Sequence, residues 1–160
     1  MPLNPESKQY MREHFVEEIA LALEREGLPR MTGRVFGHLL ICHPTHQSSA
    51  DLAEALQASR GAISQSTRAL LGAGLIQRAP RPGSRAMFFE VSPASFDRIL
   101  HASVARIQIM RELSERGLSL LSDRPVEDRE RLRAFRDMFA FMEEQFPALI
   151  EHWDQRRKES

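Results

Sequence analysis

Between Ser48 and Val91 the hydrophobic period of the chain changes once, just after two very short helical segments. In "SSADLAEALQ", Ser48 is placed to cap a helix. Asp51, three residues on, is placed to return the bond as an acidic variant of the capping box. Leu52, Ala53 and Leu56 supply the buried side. After Gln57–Ala58, a second cap at Ser59 opens "RGAISQSTRALLGAG", which ends near Gly74. Two apolar runs follow, Leu75–Ile76 and Met87–Val91, with the Pro/Gly-rich "PRPGSR" between them, and this reads as a β-hairpin. Few arrangements accommodate two tightly joined short helices followed at once by a hairpin.

The same stretch is chemically unusual. Residues 59–85 contain five arginines, Arg60, Arg68, Arg78, Arg81 and Arg85, and no Asp or Glu, in a 160-residue chain with 22 basic and 22 acidic residues. At the average acid content roughly four carboxylates are expected in such a window. A neutral molecule has no general affinity for polyanions, so any such binding has to come from a local patch. On a helix advancing 100° per residue, Arg60, Gly61, Ser64, Gln65 and Arg68 share an arc of about 140°. Ile63, Ser66 and Leu70 lie opposite, available to pack on Leu52 and Leu56. A tightly joined helix pair whose second member carries a short, polar, cationic face is a helix-turn-helix pattern. The residue types suit a DNA major groove. Arg60 can donate two bonds to a guanine edge and Gln65 can pair with adenine. Ser59, Ser64 and Arg68 can reach phosphates, helped by free N–H groups at the helix start. Gly61 permits close backbone approach. Arg81 and Arg85 place positive charge on the hairpin tip, within reach of the minor groove or backbone. Arg78 lies on the strand between, with its direction open.

Long helices flank this centre. Asn4, Pro5 and Glu6 form a helix start, and Phe15, Val16, Ile19, Ala20 and Leu23 form its stripe, ended by Gly27 and Pro29. A second helix over about 32–43 carries Val35, Phe36, Leu39 and Leu40 and stops at Pro44. Pro93 opens a helix to Arg116, with Gly117 beyond its end. The last helix starts near Pro125, and Leu132, Phe135, Phe139, Met142, Phe146, Leu149 and Trp153 repeat at 3-4-3-4 spacing, a coiled-coil seam. Pro147 is expected to kink this helix or divide it near Gln145, and the tail "DQRRKES" is expected to fray. So many aromatics on one C-terminal segment exceed what a lone surface helix exposes, which points to a homodimer presenting two recognition helices to a pseudo-palindromic site.

Other chemistries find little support. Cys42 is the only cysteine, which excludes an internal disulfide and a cysteine zinc site and suits a reducing cytoplasm; it reads as a small core residue. His38 and His43 do not share a helix face, and His46 follows Pro44, so no metal site is assigned. No segment has signal-peptide or membrane-span character. No nucleophile–base pair, phosphate loop or paired carboxylates stand out, so neither an enzyme nor a cofactor is expected.

"SSADLAEALQASRGAISQSTRALLGAGLIQRAPRPGSRAMFFEVSP" resembles the winged helix-turn-helix regulators of the MarR superfamily, in the support helix, in "SRGAISQ" opening the recognition helix, in "L..AGLI.R" closing it, and in the basic wing. The flanking helices fit the family's dimerisation region, and the chain is especially similar to actinobacterial members that repress lipid- or drug-efflux transporters. The resemblance implies DNA contacts at Arg60, Gly61, Ser64, Gln65 and Arg68 and wing contacts at Arg81 and Arg85. Many members carry an Asp two residues before the wing arginine. Here Gly83 stands in its place, which implies a wing without an internal ion pair, mobile until DNA orders it.

The expectation is thus a mainly α fold with a small β-hairpin wing. Residues 31–92 form a winged helix-turn-helix DNA-binding lobe, and residues 1–30 and 93–160 form a helical dimerisation region. The function is that of a homodimeric, cytoplasmic, sequence-specific DNA-binding regulator, repressing transporter or stress genes and released by a small lipophilic ligand. An apolar ligand pocket is expected from Phe15, Phe36, Leu39, Leu40 and neighbouring helices. The alternative is a winged-helix module whose arginines meet an acidic protein partner.

Overall fold

The computed structural model describes residues 4–159, which form six α-helices and three short strands. In chain order these are α1 (Pro5–Arg25), α2 (Arg30–Ile41), β1 (His46–Ser48), α3 (Ser49–Ala55), α4 (Arg60–Gly72), β2 (Gln77–Ala79), β3 (Phe88–Glu90), α5 (Pro93–Leu120) and α6 (Val126–Glu159). They divide into two compact units, one ending at Phe96 and the other beginning at Asp97. The mainly helical fold with a small antiparallel sheet is the one expected.

Local capping chemistry sets the helix starts. Asn4 Oδ1 accepts from the Ser7 N–H at 2.7 Å, and Ser59 Oγ accepts from the Ala62 N–H at 3.2 Å. At α3 the capping box is complete: the Asp51 N–H donates to Ser48 Oγ at 3.1 Å, and the Ser48 N–H donates to Asp51 Oδ2 at 2.8 Å. That bond from the Ser48 backbone is the main reason the Asp51 carboxyl lies below its ordinary range.

In the first unit α1, α2, α3, α4 and the sheet share one core, with Val35, Leu52, Ile63 and Leu70 fully enclosed and Val16, Phe36, Leu39, Leu56, Ile76 and Phe89 around them. Burying such aliphatic side chains is worth about 1.5–3 kcal/mol each. Helix α1 therefore packs within the same unit as the helix-turn-helix. Its approach to α2 depends on two glycines one turn apart. A Cβ at Gly33 would stand 2.6 Å from Ala20 Cα, and one at Gly37 would stand 3.1 Å from Ile19 Cβ and 3.2 Å from Val16 Cα.

Several boundaries differ from the sequence reading. The sheet has a third strand, β1, in the order β1-β3-β2, with His46 opposite Glu90 and Gln77 opposite the same Glu90 from the other side. The first hairpin strand begins at Gln77 rather than Leu75. The Leu75 N–H is still occupied in closing α4, donating to Leu70 O at 3.0 Å, and Ile76 drops into the core. Helix α2 occupies Arg30–Ile41, two residues earlier than expected.

The second unit is a helix pair. Gly117 does not stop α5, which continues to Leu120. The glycine lies where α6 crosses, and a Cβ there would meet Leu132 Cδ2 at 2.8 Å. Helix α6 is not divided near Gln145 and runs through Pro147. Contacts to α5 on both sides of the proline hold it: Arg111 binds Glu143 before it, while His101 meets Asp154 at 3.1 Å and Trp153 Nε1 donates to Asp97 at 2.8 Å after it. One lost backbone bond is absorbed in a helix pinned this way. The tail is helical to Glu159, with Arg157 on Asp97 at 3.2 Å; Ser160 lies outside the described residues.

The α1–α2 contact gives a direct expectation. Gly33→Ala forces two backbones apart and should cost about 2–3 kcal/mol, seen as a lower urea midpoint with an unchanged slope.

Candidate nucleic-acid interface

Helix α4 is sorted by burial along its length. Ile63, Ser66, Thr67 and Leu70 are buried. Ser59, Arg60, Gly61, Ser64, Gln65 and Arg68 are all exposed. The buried side also carries small polar groups, and each finds a partner. Thr67 Oγ1 donates to Ile63 O at 2.9 Å, and Thr32 Oγ1 on α2 lies 3.4 Å from Ser66 Oγ. Small hydroxyl residues let α2 and α4 approach closely without an orphaned donor. Thr67 was absent from the buried side read from the sequence; on the wheel it lies between Ile63 and Arg60, 40° from the first and 20° from the second, at the edge of the buried side.

The outward face is short and uncluttered. A Cβ on Gly61 would meet nothing nearer than Ser59 Oγ at 4.0 Å, so no packing inside this chain requires a glycine there. Ser59 uses an oxygen lone pair for the cap and keeps its O–H free to donate.

All five arginines of the acid-free window are exposed, and among the described residues none has a carboxylate ion-pair partner. Elsewhere Arg30, Arg34, Arg111, Arg136 and Arg157 are all held by acids. The window thus keeps its full positive charge on the surface.

The wing is anchored by a device the sequence did not reveal. The Arg81 guanidinium lies over the Phe88 ring, 5.6 Å from its centroid, and His46 meets the same ring edge-on at 5.5 Å. β1 brings His46 to this place. This cation–π contact stands where an internal ion pair is missing, because Gly83 replaces the acid. Gly83 itself has φ +81°, a left-handed turn conformation suited to glycine. The turn is closed by Ser84 N–H donating to Arg81 O at 3.2 Å and Ala86 N–H donating to Ser84 Oγ at 3.1 Å. Arg85 is exposed at the tip, and Arg78 is exposed on β2.

The four residues expected to line a ligand pocket are placed differently from one another. Phe36 and Leu39 belong to the core of the first unit, Leu40 packs against it, and Phe15 is half-buried. Cys42 is also half-buried, its Sγ 3.7 Å from Leu39 O, and burial pushes its thiol up, away from the reactive thiolate. Among the described residues no group of three His, Cys, Asp or Glu side chains is placed to hold a metal ion, and no helix is long and apolar enough to cross a membrane.

The chain is similar to known transcriptional regulators. Residues 95–156 match the family model described as MmpR5-like MarR family transcriptional regulator. The HTH-type transcriptional regulator MmpR5 of Mycobacterium tuberculosis is 36% identical over 145 residues, covering 91% of this chain and 88% of that protein. A crystal structure of a transcriptional regulator superposes with a TM-score of 0.80 at 35% identity, covering 90% of this chain and 98% of the other. These proteins are regulators, not enzymes. The chain belongs to the MmpR5-like MarR family of transcriptional regulators.

Proposed function

We propose that the protein regulates transcription as a homodimer that sets two copies of α4 into successive major-groove segments of a pseudo-palindromic DNA site. One observation carries this reading: the one-sided burial of α4 turns Ser59, Arg60, Gly61, Ser64, Gln65 and Arg68 outward together, in a window with no carboxylate. Arg60 and Gln65 read base edges, and Ser59, Ser64 and Arg68 hold phosphates. Arg81 and Arg85 reach the neighbouring backbone or minor groove from the wing. Occupying a promoter in this way blocks access, so the protein is a repressor working in the cytoplasm. The family resemblance points to transporter or stress genes as its targets and to a small lipophilic ligand as the signal that releases it.

The second unit supports the dimer. Its two helices leave Ile109, Leu113, Phe135, Met138 and Phe141 exposed, Phe141 by 63%. That much apolar surface is more than a lone helix pair keeps in water. A second copy of the same pair covers it.

Fluorescence anisotropy with DNA from upstream of the protein's own gene tests the interface. Arg60→Ala with Arg68→Ala should weaken binding by about 100-fold or more and flatten the salt dependence; unchanged affinity removes this face from the interface. Gly61→Ala should move two properties in opposite directions. It should raise stability by about 0.5 kcal/mol while weakening DNA binding, because the added methyl stands between the α4 backbone and the groove. Phe141→Glu should shift the protein from dimer to monomer in light scattering and abolish high-affinity binding to the paired site.

A further inference from the structure

The acid-free window holds five hydroxyl side chains, Ser59, Ser64, Ser66, Thr67 and Ser84, and the fold sorts them. Ser66 and Thr67 are buried. Ser64 is fixed in the backbone of α4, and Ser59 is spent in capping it. Ser84 is exposed and stands clear of every helix and strand. Arg81 lies three residues before it and Arg85 directly after it, with no acid between Glu54 and Glu90.

The tip of the wing is built to stay open. Residues 80–87 are all exposed and belong to no strand, although they join β2 to β3. Pro80 and Pro82 have no N–H to give to a ladder, and Arg81, preceding a proline, favours extended backbone. Two bonds close the turn: the Ser84 N–H donates to Arg81 O at 3.2 Å, and the Ala86 N–H donates to Ser84 Oγ at 3.1 Å. An enzyme can draw such a segment into its cleft without breaking any strand pairing. The Ser84 O–H remains free to react.

The surrounding charge fits both a modifying enzyme and its product. An exposed serine with an arginine three residues before it suits a kinase whose substrate groove is acidic. Phe88 covers one face of the Arg81 guanidinium and leaves its N–H fork free. Asp51 feels the charge of Arg81 but forms no ion pair with it. Two donor forks are therefore available on either side of Ser84.

We propose that Ser84 is a phosphorylation site for an arginine-directed Ser/Thr protein kinase, and that the phosphate, gripped by Arg81 and Arg85, withdraws the wing from DNA. Ser84 Oγ attacks the γ-phosphorus of a nucleoside triphosphate. The new O–P bond forms as the bond from that phosphorus to the β–γ bridging oxygen breaks. The diphosphate leaves, and the hydroxyl proton passes to a carboxylate base of the kinase. The product carries a charge of about −1.5 to −2 and three acceptor oxygens, enough to cancel the two arginines at the tip. Their donors then turn to the phosphate instead of DNA, and the new anion repels the DNA backbone. This rests on the regulator reading above and adds a control to its wing.

The full-length protein is treated with ATP, Mg²⁺ and a kinase selective for arginine three residues before serine, with a peptide of residues 78–88 as a parallel substrate. One phosphate per chain should appear at Ser84 by mass spectrometry, and none in Ser84→Ala. Arg81→Ala should slow the transfer by about tenfold. The same phosphopeptide should be found in protein isolated from growing or stressed cells of its own organism. Phosphorylation should weaken DNA binding at least about tenfold and make the salt slope shallower by about 2–4. Ser84→Gln, which adds bulk without charge, should bind DNA within about twofold of the unmodified protein. The ³¹P titration midpoint should lie lower in the phosphorylated protein than in its Arg85→Ala variant, since guanidinium groups favour the dianion. Transfer to the peptide but not the protein, transfer to neither, or absence of the phosphopeptide from both kinds of cells overturns the site. Unchanged DNA affinity, or an equal loss in Ser84→Gln, overturns the charge switch, and equal midpoints overturn the grip. DNA binding of the unmodified protein is measured separately, so its absence sinks the regulator reading while the transfer and the midpoints still judge Ser84.

Discussion

The rotation of α4 about its own axis decides how this protein meets the outside. Ile63 and Leu70 are fully enclosed against Leu52, Leu56 and Val35, and Ser66 meets Thr32 across the gap to α2. Turning α4 by even a quarter would lift two aliphatic side chains into water, at a cost of about 1.5–3 kcal/mol each. The same turn would push Arg60 or Arg68 toward the core, where an unpaired guanidinium is far more costly. The apolar side is thus the reason the cationic side faces outward as a unit.

That packing depends in turn on how closely the helices beneath can approach. Gly33 and Gly37 let α1 lie against α2 backbone to backbone, and small hydroxyl residues do the same between α2 and α4. The wing uses a different interaction. It lacks an internal acid, and Phe88 holds Arg81 on one side and His46 on another. An aromatic ring anchors the arginine stem without neutralising its charge, so the wing is tied down while its positive potential is kept. An ion pair would have given anchorage at the expense of that potential.

What could be read from the chain follows the range of the forces involved. The starts of α1, α3 and α4 were legible because Asn4, Ser48 with Asp51, and Ser59 act on N–H groups within three residues. The polar face of α4 was legible because helical geometry alone groups it. β1 was not, since three residues become a strand only by pairing with β3, 40 to 44 positions later. Gly117 carries the local signature of a helix stop, yet serves a helix crossing with Leu132 that no local pattern announces. Pro147 is a helix breaker by propensity, and the contacts of α6 with α5 on both sides outweigh it.

By itself, the sequence determined the helix-turn-helix, the position of the wing and the concentration of five arginines in one acid-free window, because caps, turns and charge composition are local properties. Only the tertiary structure decided that α1 belongs to the same compact unit as the recognition helix and that Arg81 rests on Phe88. Each of these depends on residues far apart in the chain being brought within a few ångströms, and that proximity is created by burial of the shared core.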